Sequence, residues 1–330
     1  MASAYAKVHE SPSGPGDDRP TAAQIVDDEG LEGGLRGKVI LITGCSSGLG
    51  VETARALLPT GATLYLTARD LQKARTALGD IANSPQVQLL HLNLGSLESV
   101  RGCAAEFLAK SPQKLNILIC NAGVMMTPEG RTVDGFETQM GINHLGHFLF
   151  FNLLKSALLA SATSDFNSRV LFLSSIAHRT AEPNLDNINL DDEYHPWIAY
   201  SKSKTASIWA ANEIERRYGS RGLHAWGIQP GPTGTGLYQH LSEEMAASQS
   251  DPALAKIFKT PQQGAATTVW AAVAKTLEGQ GGKYLEDCQI SKEWDSAAGP
   301  WAPGYASWAY DEKKEAAFWA KSETMVGLKD

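Results

Sequence analysis

Tyr200 and Lys204 stand four residues apart in WIAYSKSKTASIW, a stretch with the pattern of a helix. Positions i and i+4 share a helical face, so the phenol and the ammonium can open into one cleft. An ammonium beside a phenol favours phenolate and lowers its pKa, which makes a weak acid usable as a proton donor or acceptor near neutral pH. Upstream, the apolar run Val170 to Leu173 reads as a buried strand that leaves its sheet at Ser174-Ser175. A hydroxyl there can hold a carbonyl or carbinol oxygen beside the phenol. Together these residues outline an alcohol/ketone redox site. The Tyr-x-x-x-Lys spacing alone is a weak signal, since nine Tyr at ordinary Lys density give roughly half a match by chance. A second pair, Tyr310 and Lys314, fits it too, in a charged C-terminal segment with no strand ending in Ser before it.

The elements that must position Tyr200 therefore decide the matter. Lys38 to Gly44 (KVILITG) is an apolar run of strand length, as in a strand covered on both faces of a parallel sheet. It runs into TGCSSGLG, Thr43 to Gly50, and then a helix. Gly44, Gly48 and Gly50 let the backbone turn and approach a phosphate, and Ser46, Ser47 and Leu49 lie between them at a helix N-terminus with free N–H groups. The bland alternative is a Gly-rich turn. A second strand, Thr63 to Thr67, ends at Ala68-Arg69-Asp70. Dinucleotide folds place an acidic residue at the end of this strand, on the adenosine ribose. Here Ala68 takes that place and Arg69 offers a cation for a 2′-phosphate, with Asp70 one residue late.

Further strands are predicted at Val87 to Asn93 and Leu115 to Asn121, with helices between, so that Asn93, Leu94, Asn121, Ala122 and Gly123 gather at C-terminal strand ends, where such sheets bind ligands. A long helix is expected from about Val133 to Leu159. It carries Asn143, whose buried amide is costly unless paired and serves either the core or a proton relay. His144 and His147 beside it are assigned to packing or surface. The helix opening near Tyr200 should run to about Tyr218, followed by strand Leu223 to Gln229 and the loop Pro230-Gly231-Pro-Thr233-Gly-Thr235. Thr233 and Thr235 can meet the nicotinamide carboxamide or the pyrophosphate, or only stiffen the loop. A lid over about 236–260, a helix over Gln262 to Leu277 and a last strand near Gly282 to Cys288 complete the reading.

The expected fold is α/β: a doubly wound parallel sheet (Rossmann) of about seven strands in three α/β/α layers, occupying residues 21–290. Residues 1–20 read as a disordered leader, after which Thr21 caps a short helix with Ile25 and Val26 inward. Residues 291–330, with four of the eight Trp, read as an extension packed on the same domain and ending in a helix over Asp311 to Thr324. That helix would place Tyr310 and Lys314 on its surface. A net charge of −7 gives no footprint for nucleic acid. No apolar run is long enough to span a membrane and no signal peptide is visible, so a cytoplasmic location is expected. Four cysteines without metal-site spacing read as reduced thiols, with no metal.

Taken together, TGxxxGxG at Thr43 to Gly50, Asn121-Ala122-Gly123, Asn143, Ser175, Tyr200 to Lys204 and Pro230 to Thr235 resemble the short-chain dehydrogenase/reductase superfamily over about residues 36–290. Within it, SSIAH, AYSKSK and GGKYLEDC are similar to the retinol-dehydrogenase and WW-domain-oxidoreductase branch. The resemblance implies Tyr200 as general acid/base and Lys204 on the nicotinamide ribose. It also implies Ser175, rather than Ser174, on the substrate oxygen, and Asn143 holding a relay water. Asn93 departs from a common Asp, and Cys120 from a common Asn.

These readings imply an enzyme that moves hydride between NADP(H), preferred over NAD(H), and a medium-sized hydrophobic ketone or alcohol. Met125, Met126, Ile176, Tyr194, Trp197 and Tyr238 are the substrate-facing candidates, and a monomer or homodimer is expected. A reductase of a conjugated or ring C=C bond is the enzymatic alternative. A non-catalytic NADP(H)-sensing regulator, or a scaffold acting through the Trp-rich tail, are the alternatives of another class.

Overall fold

The computed structural model describes residues 4–111, 113–241 and 251–328. Its centre is an eight-stranded sheet in the order β3-β2-β1-β4-β5-β6-β7-β8. Seven strands are parallel: β1 (Val39–Thr43), β2 (Thr63–Ala68), β3 (Val87–His91), β4 (Ile117–Cys120), β5 (Ser168–Leu173), β6 (Leu223–Gln229) and β7 (Lys283–Glu286). The eighth, β8 (Gln289–Ile290), is a two-residue antiparallel addition.

Both faces of the sheet's centre are covered, which is why β1 and β4 read as unbroken apolar runs rather than alternating ones. In β1, Ile40 and Ile42 enter one core with α1 (Ala22–Asp28), α2 (Gly48–Leu57) and α10 (Ala266–Val273). Val39 and Leu41 enter the other, with α4 (Leu97–Lys110), α6 (Gly146–Ser161), α7 (Pro196–Tyr218) and α11 (Glu312–Met325). The order reverses between β1 and β4, and the main cleft opens beyond the strand ends there, as expected at a switch point.

Several boundaries differ from the sequence reading. The helix expected from Val133 begins only at α5 (Thr138–Met140) and passes through a π turn, Gly141–Leu145, before α6. The buried Glu137 carboxylate sets that start by accepting from the amides of Gln139 and Met140. The helix α7 opens a turn before Tyr200, because Pro196 suits the first helical position and the His195 ring caps the amide of Ile198. The helix expected over 262–277 is split into α9 (Pro261–Gly264), α10 and a 3-10 turn, Lys275–Leu277. As expected, the Thr21 side chain caps α1 and buries Ile25 and Val26.

The leader is the largest departure. Residues 4–20 are folded onto the body, with a 3-10 turn at Lys7–His9 and Arg19 only 4% exposed. Low apolar content misled the reading, because this segment is held by hydrogen bonds rather than by a core of its own. Of the expected lid, residues 242–250 lie outside the described residues, while 251–260 contain α8 (Pro252–Ile257). The four cysteines are free and buried, and burial pushes their thiols up.

The Trp-rich segment packs on the same body. Trp319 is buried edge-on to Phe148 at 4.7 Å, and Arg217 lies over its ring. The spare Tyr310/Lys314 pair divides. Lys314 is a surface cation paired with Glu182 at 2.6 Å, but the Tyr310 hydroxyl turns inward to accept from the Tyr284 amide at 2.8 Å, so it is not helix surface. No helix among the described residues is long and apolar enough to cross a membrane.

Candidate active site

The Gly-rich turn is a cradle in physical fact. Gly44 has φ +76°, and a Cβ there would sit 2.8 Å from the Ala122 Cα. A Cβ on Gly50 would meet the Asn121 amide nitrogen at 2.7 Å. That amide donates to the Thr43 carbonyl at 2.8 Å, and the Thr43 hydroxyl accepts from the Ala122 amide at 3.0 Å. The ends of β1 and β4 are thus laced together beneath the turn. Ser47, the N-cap of α2, makes no capping bond with its side chain. The first amides of α2 therefore remain open to an anion.

At the end of β2, Arg69 and Asp70 have different surroundings. Asp70 caps α3 (Leu71–Leu78), its carboxylate accepting from the Lys73 amide at 2.9 Å. Arg69 is exposed and lines the cleft together with Lys73. Asn93 and Leu94 line it too, with the Asn93 side chain accepting from the Gly95 amide. A dinucleotide fits these residues: a turn whose glycines allow close approach, open helix amides and two cations at one wall.

Ser175, Tyr200 and Lys204 meet in the same cavity of about 880 Å³. The two adjacent serines separate cleanly. The Ser174 hydroxyl is buried and donates to the Lys204 carbonyl at 2.8 Å, whereas that of Ser175 accepts from the Ala177 amide at 3.2 Å and Ser175 lines the cavity with Tyr200. The Lys204 ammonium donates to the Leu173 carbonyl at 2.9 Å and lies 5.4 Å from the centre of the Tyr200 ring. The expected lowering of the phenol is not what this geometry produces. Burial, with Tyr200 3% exposed, pushes its pKa above the ordinary value, and the Ser175 hydroxyl nearby pulls only partly back. Burial also brings the Lys204 ammonium down to about 8.

Asn143 sits in the π turn, a distortion that often marks functional positions. Its Nδ2 donates to the Val124 carbonyl and the Ser203 hydroxyl, both at 2.9 Å, and its Oδ1 accepts from the Val124 amide at 2.9 Å. The amide group thus ties the segment after Gly123 to Ser203 of α7. His147 bridges the same region, from the Asn143 carbonyl at 3.0 Å to the Thr43 hydroxyl at 2.8 Å. His144 reaches Ser322 in α11 at 2.9 Å, so both imidazoles serve the interior and neither lies on the surface.

Three other candidates do not line the cavity. Thr233 is turned away from the cavity: its hydroxyl donates to the Gly231 carbonyl at 3.2 Å and packs where a Cβ on Gly264 would stand. Pro230, Gly231 and Thr235 do line the cavity. Tyr194 is pinned outside it, donating to the Thr127 carbonyl at 2.7 Å. Met126, with φ +56°, backs the wall that Met125, Ile176, Trp197 and Tyr238 form.

Sequence reasoning missed His178, three residues after Ser175, whose ring braces that serine. It also missed His9, Glu10, Pro12, Arg19 and Trp301, which complete the cavity together with Leu254, Ile257 and Phe258 of the expected lid. Only the spacing in SSIAHR carried any local signal for these.

Comparison with known proteins agrees with this geometry. The family model described as short chain dehydrogenase matches residues 38–246. The short-chain dehydrogenase/reductase prx1 of Penicillium roqueforti is 47% identical over 327 residues, covering 99% of this chain and 96% of that protein. Human retinol dehydrogenase 12 is 38% identical over 258 residues, 77% of this chain and 79% of its own. Among solved structures, an uncharacterized protein from Mycobacterium paratuberculosis superposes with a TM-score of 0.67 at 32% identity, covering 89% of this chain and 94% of that one.

Proposed function

We propose, from the premise that the chain belongs to the short-chain dehydrogenase/reductase family of oxidoreductases, that it interconverts a hydrophobic ketone and its alcohol with NADP(H). The observation that carries this reading is the convergence of Ser175, Tyr200 and Lys204 on one cleft with an apolar wall. Nicotinamide supplies the hydride. The chain's residues supply the rest. Ser175 holds the carbonyl oxygen, and Tyr200 delivers its proton to that oxygen in reduction and takes it back in oxidation. A phenol raised by burial is protonated at neutral pH, which is the form a reductase needs at the start of the step.

Lys204 holds the Leu173 carbonyl, and hence the strand end that presents Ser175, while its charge lies against the Tyr200 ring. Its position also suits the ribose next to the nicotinamide. Asn143 acts here as a brace for the Val124 segment rather than as a holder of water. Arg69 and Lys73 favour the 2′-phosphate, and Met125, Trp197 and Tyr238 exclude water from the reacting carbon.

Titration of the purified protein with NADPH and NADH tests the cofactor assignment. A screen of aryl and alkyl ketones with NADPH, with Tyr200→Phe as control, tests the chemistry. Tighter NADPH binding and Tyr200-dependent turnover are the expected results. Binding of neither nucleotide would overturn the reading.

A further inference from the structure

We propose that the segment 9–19 is a wall of the substrate chamber, and that Arg19 is a positioning residue that sets the facing wall, residues 254–258. The inference rests on the proposed reading of the cleft as a carbonyl site. His9, Glu10 and Pro12 border the same cavity as Leu254, Ile257 and Phe258. None of these belongs to the parallel-sheet framework, so nothing in β1–β7 fixes their place.

Arg19 supplies the fixing. Its guanidinium is buried at 4% exposure and donates to the carbonyls of Ile257 at 2.9 Å, Phe258 at 2.6 Å, Gly14 at 3.0 Å and Lys256 at 3.4 Å. Three of these are the carbonyls at the end of α8, which have no helical partner and carry partial negative charge. The Nε donates to Asp17 at 2.7 Å, which fixes the plane of the fork.

Gln263 makes the attachment two-sided. Its Nε2 donates to the Asp17 carbonyl at 2.9 Å and the Arg19 carbonyl at 3.0 Å, while its Oε1 accepts from the Gly16 amide at 2.9 Å and the Thr260 amide at 3.1 Å. Lys259 closes the circuit to the sheet, donating to Asp287 at 2.7 Å and to the Pro230 carbonyl at 3.2 Å. The wall at 254–258 is therefore held from the leader on one side and from the ends of β6 and β7 on the other. A substrate long enough to pass Tyr238 and reach Ile257 and Phe258 reads this wall, whereas a small carbonyl compound seated at Ser175 and Tyr200 does not. The chamber is thereby shaped for an extended apolar carbonyl compound.

The test uses the full chain as wild type, Arg19→Met, Arg19→Lys and Gln263→Glu, the last placing a carboxylate against Asp17. Hydrogen exchange is read at the amides of Ala255, Phe258 and Lys259, which are hydrogen-bonded to Asp251, Leu254 and Pro232. Exchange at these amides should quicken at least about ten-fold in Arg19→Met and Gln263→Glu, and less in Arg19→Lys. With NADPH, KM for 2-undecanone should rise about ten-fold at nearly unchanged kcat, while kcat/KM for 2-butanone and the affinity for NADPH stay within about two-fold. Unchanged exchange at these amides, or equal losses on both ketones, would overturn the proposal. If wild type reduces neither ketone, the carbonyl reading fails while the exchange arm still decides whether Arg19 holds this wall.

Discussion

The Nδ1 of His178 lies 2.6 Å from the carbonyl oxygen of Ser175, and its Nε2 lies 3.0 Å from the amide of Ala306. The Ala306 amide can only donate, so Nε2 is the acceptor and Nδ1 carries the proton. One neutral imidazole therefore ties the loop bearing Ser175 to the segment after Gly304. Trp308 reinforces it by donating its indole N–H to the His178 carbonyl at 3.1 Å. Replacing His178 with Leu frees the Ser175 loop. We expect kcat to fall about ten- to a hundred-fold, as for small misplacements of a reacting group, with NADPH affinity unchanged. His178→Asn, which keeps one donor, should recover part of the loss in steady-state assays.

Tyr200→Phe removes the proton and leaves the buried ring in place. A loss of about 10²–10⁴-fold in kcat is expected, together with unaltered thermal stability and nucleotide binding. Ser175→Ala should lower kcat as well, whereas Ser174→Ala, which loses a bond to the Lys204 carbonyl, should act mainly on stability. Comparing kcat with the melting temperature for the two serines checks the division.

Arg69→Ala should weaken NADPH binding about ten-fold and leave NADH untouched, as fits an exposed charge-assisted contact. The wild-type preference should shrink as salt rises, because an exposed cation is screened. Calorimetric titrations at low and high ionic strength read both effects.

Lys204 loses its charge near pH 8 because burial disfavours the ammonium. If it holds the nicotinamide ribose, nucleotide affinity should be full below that pH and decline above it. In Lys204→Met the affinity should be lower throughout, with no inflection near pH 8. Fluorescence titration from pH 6.5 to 9.5 distinguishes the two curves.

Burial holds the imidazoles of His144, His147 and His178 neutral, at about 3, 4 and 4. In the unfolded chain each titrates near its ordinary value of about 6.5. Between those values the unfolded state binds more protons, so stability is full above about pH 6.5 and is lost as pH falls. The loss is about 2 kcal/mol per imidazole at pH 5. Glu286 opposes it by a similar single-group amount, because burial raises its carboxyl to about 7 and the folded state takes up that proton first. Urea midpoints at pH 7 and pH 5 should show a net fall in stability, smaller in His144→Phe.

Much of this was readable in the chain because it is enforced locally. The run VILIT reads as a strand covered on both faces since both cores press on it. Gly44 and Gly50 read as a cradle since no side chain fits there, and Ser175, Tyr200 and Lys204 fall where a strand end and a helix face must bring them. What escaped is enforced at long range. Nothing near Arg19 in sequence reveals that its partners are carbonyls at 256–258, and nothing near His178 points to Ala306. Thr233 and Tyr194 misled for the same reason: their types suited a ligand, but tertiary partners had already claimed their hydroxyls. The phenol of Tyr200 was misjudged because spacing reports the nearness of a charge and says nothing of desolvation.

The Arg19 and Gln263 contacts also bear on how this chamber can be redesigned. A loop graft confined to 252–263 would present foreign carbonyls to a guanidinium aimed at the originals, and an exchange of 9–19 alone would strand Gln263 without its partners. The two stretches form one heritable unit written in two places, so a library that varies them jointly samples new chambers, while one that varies either alone samples chiefly broken ones.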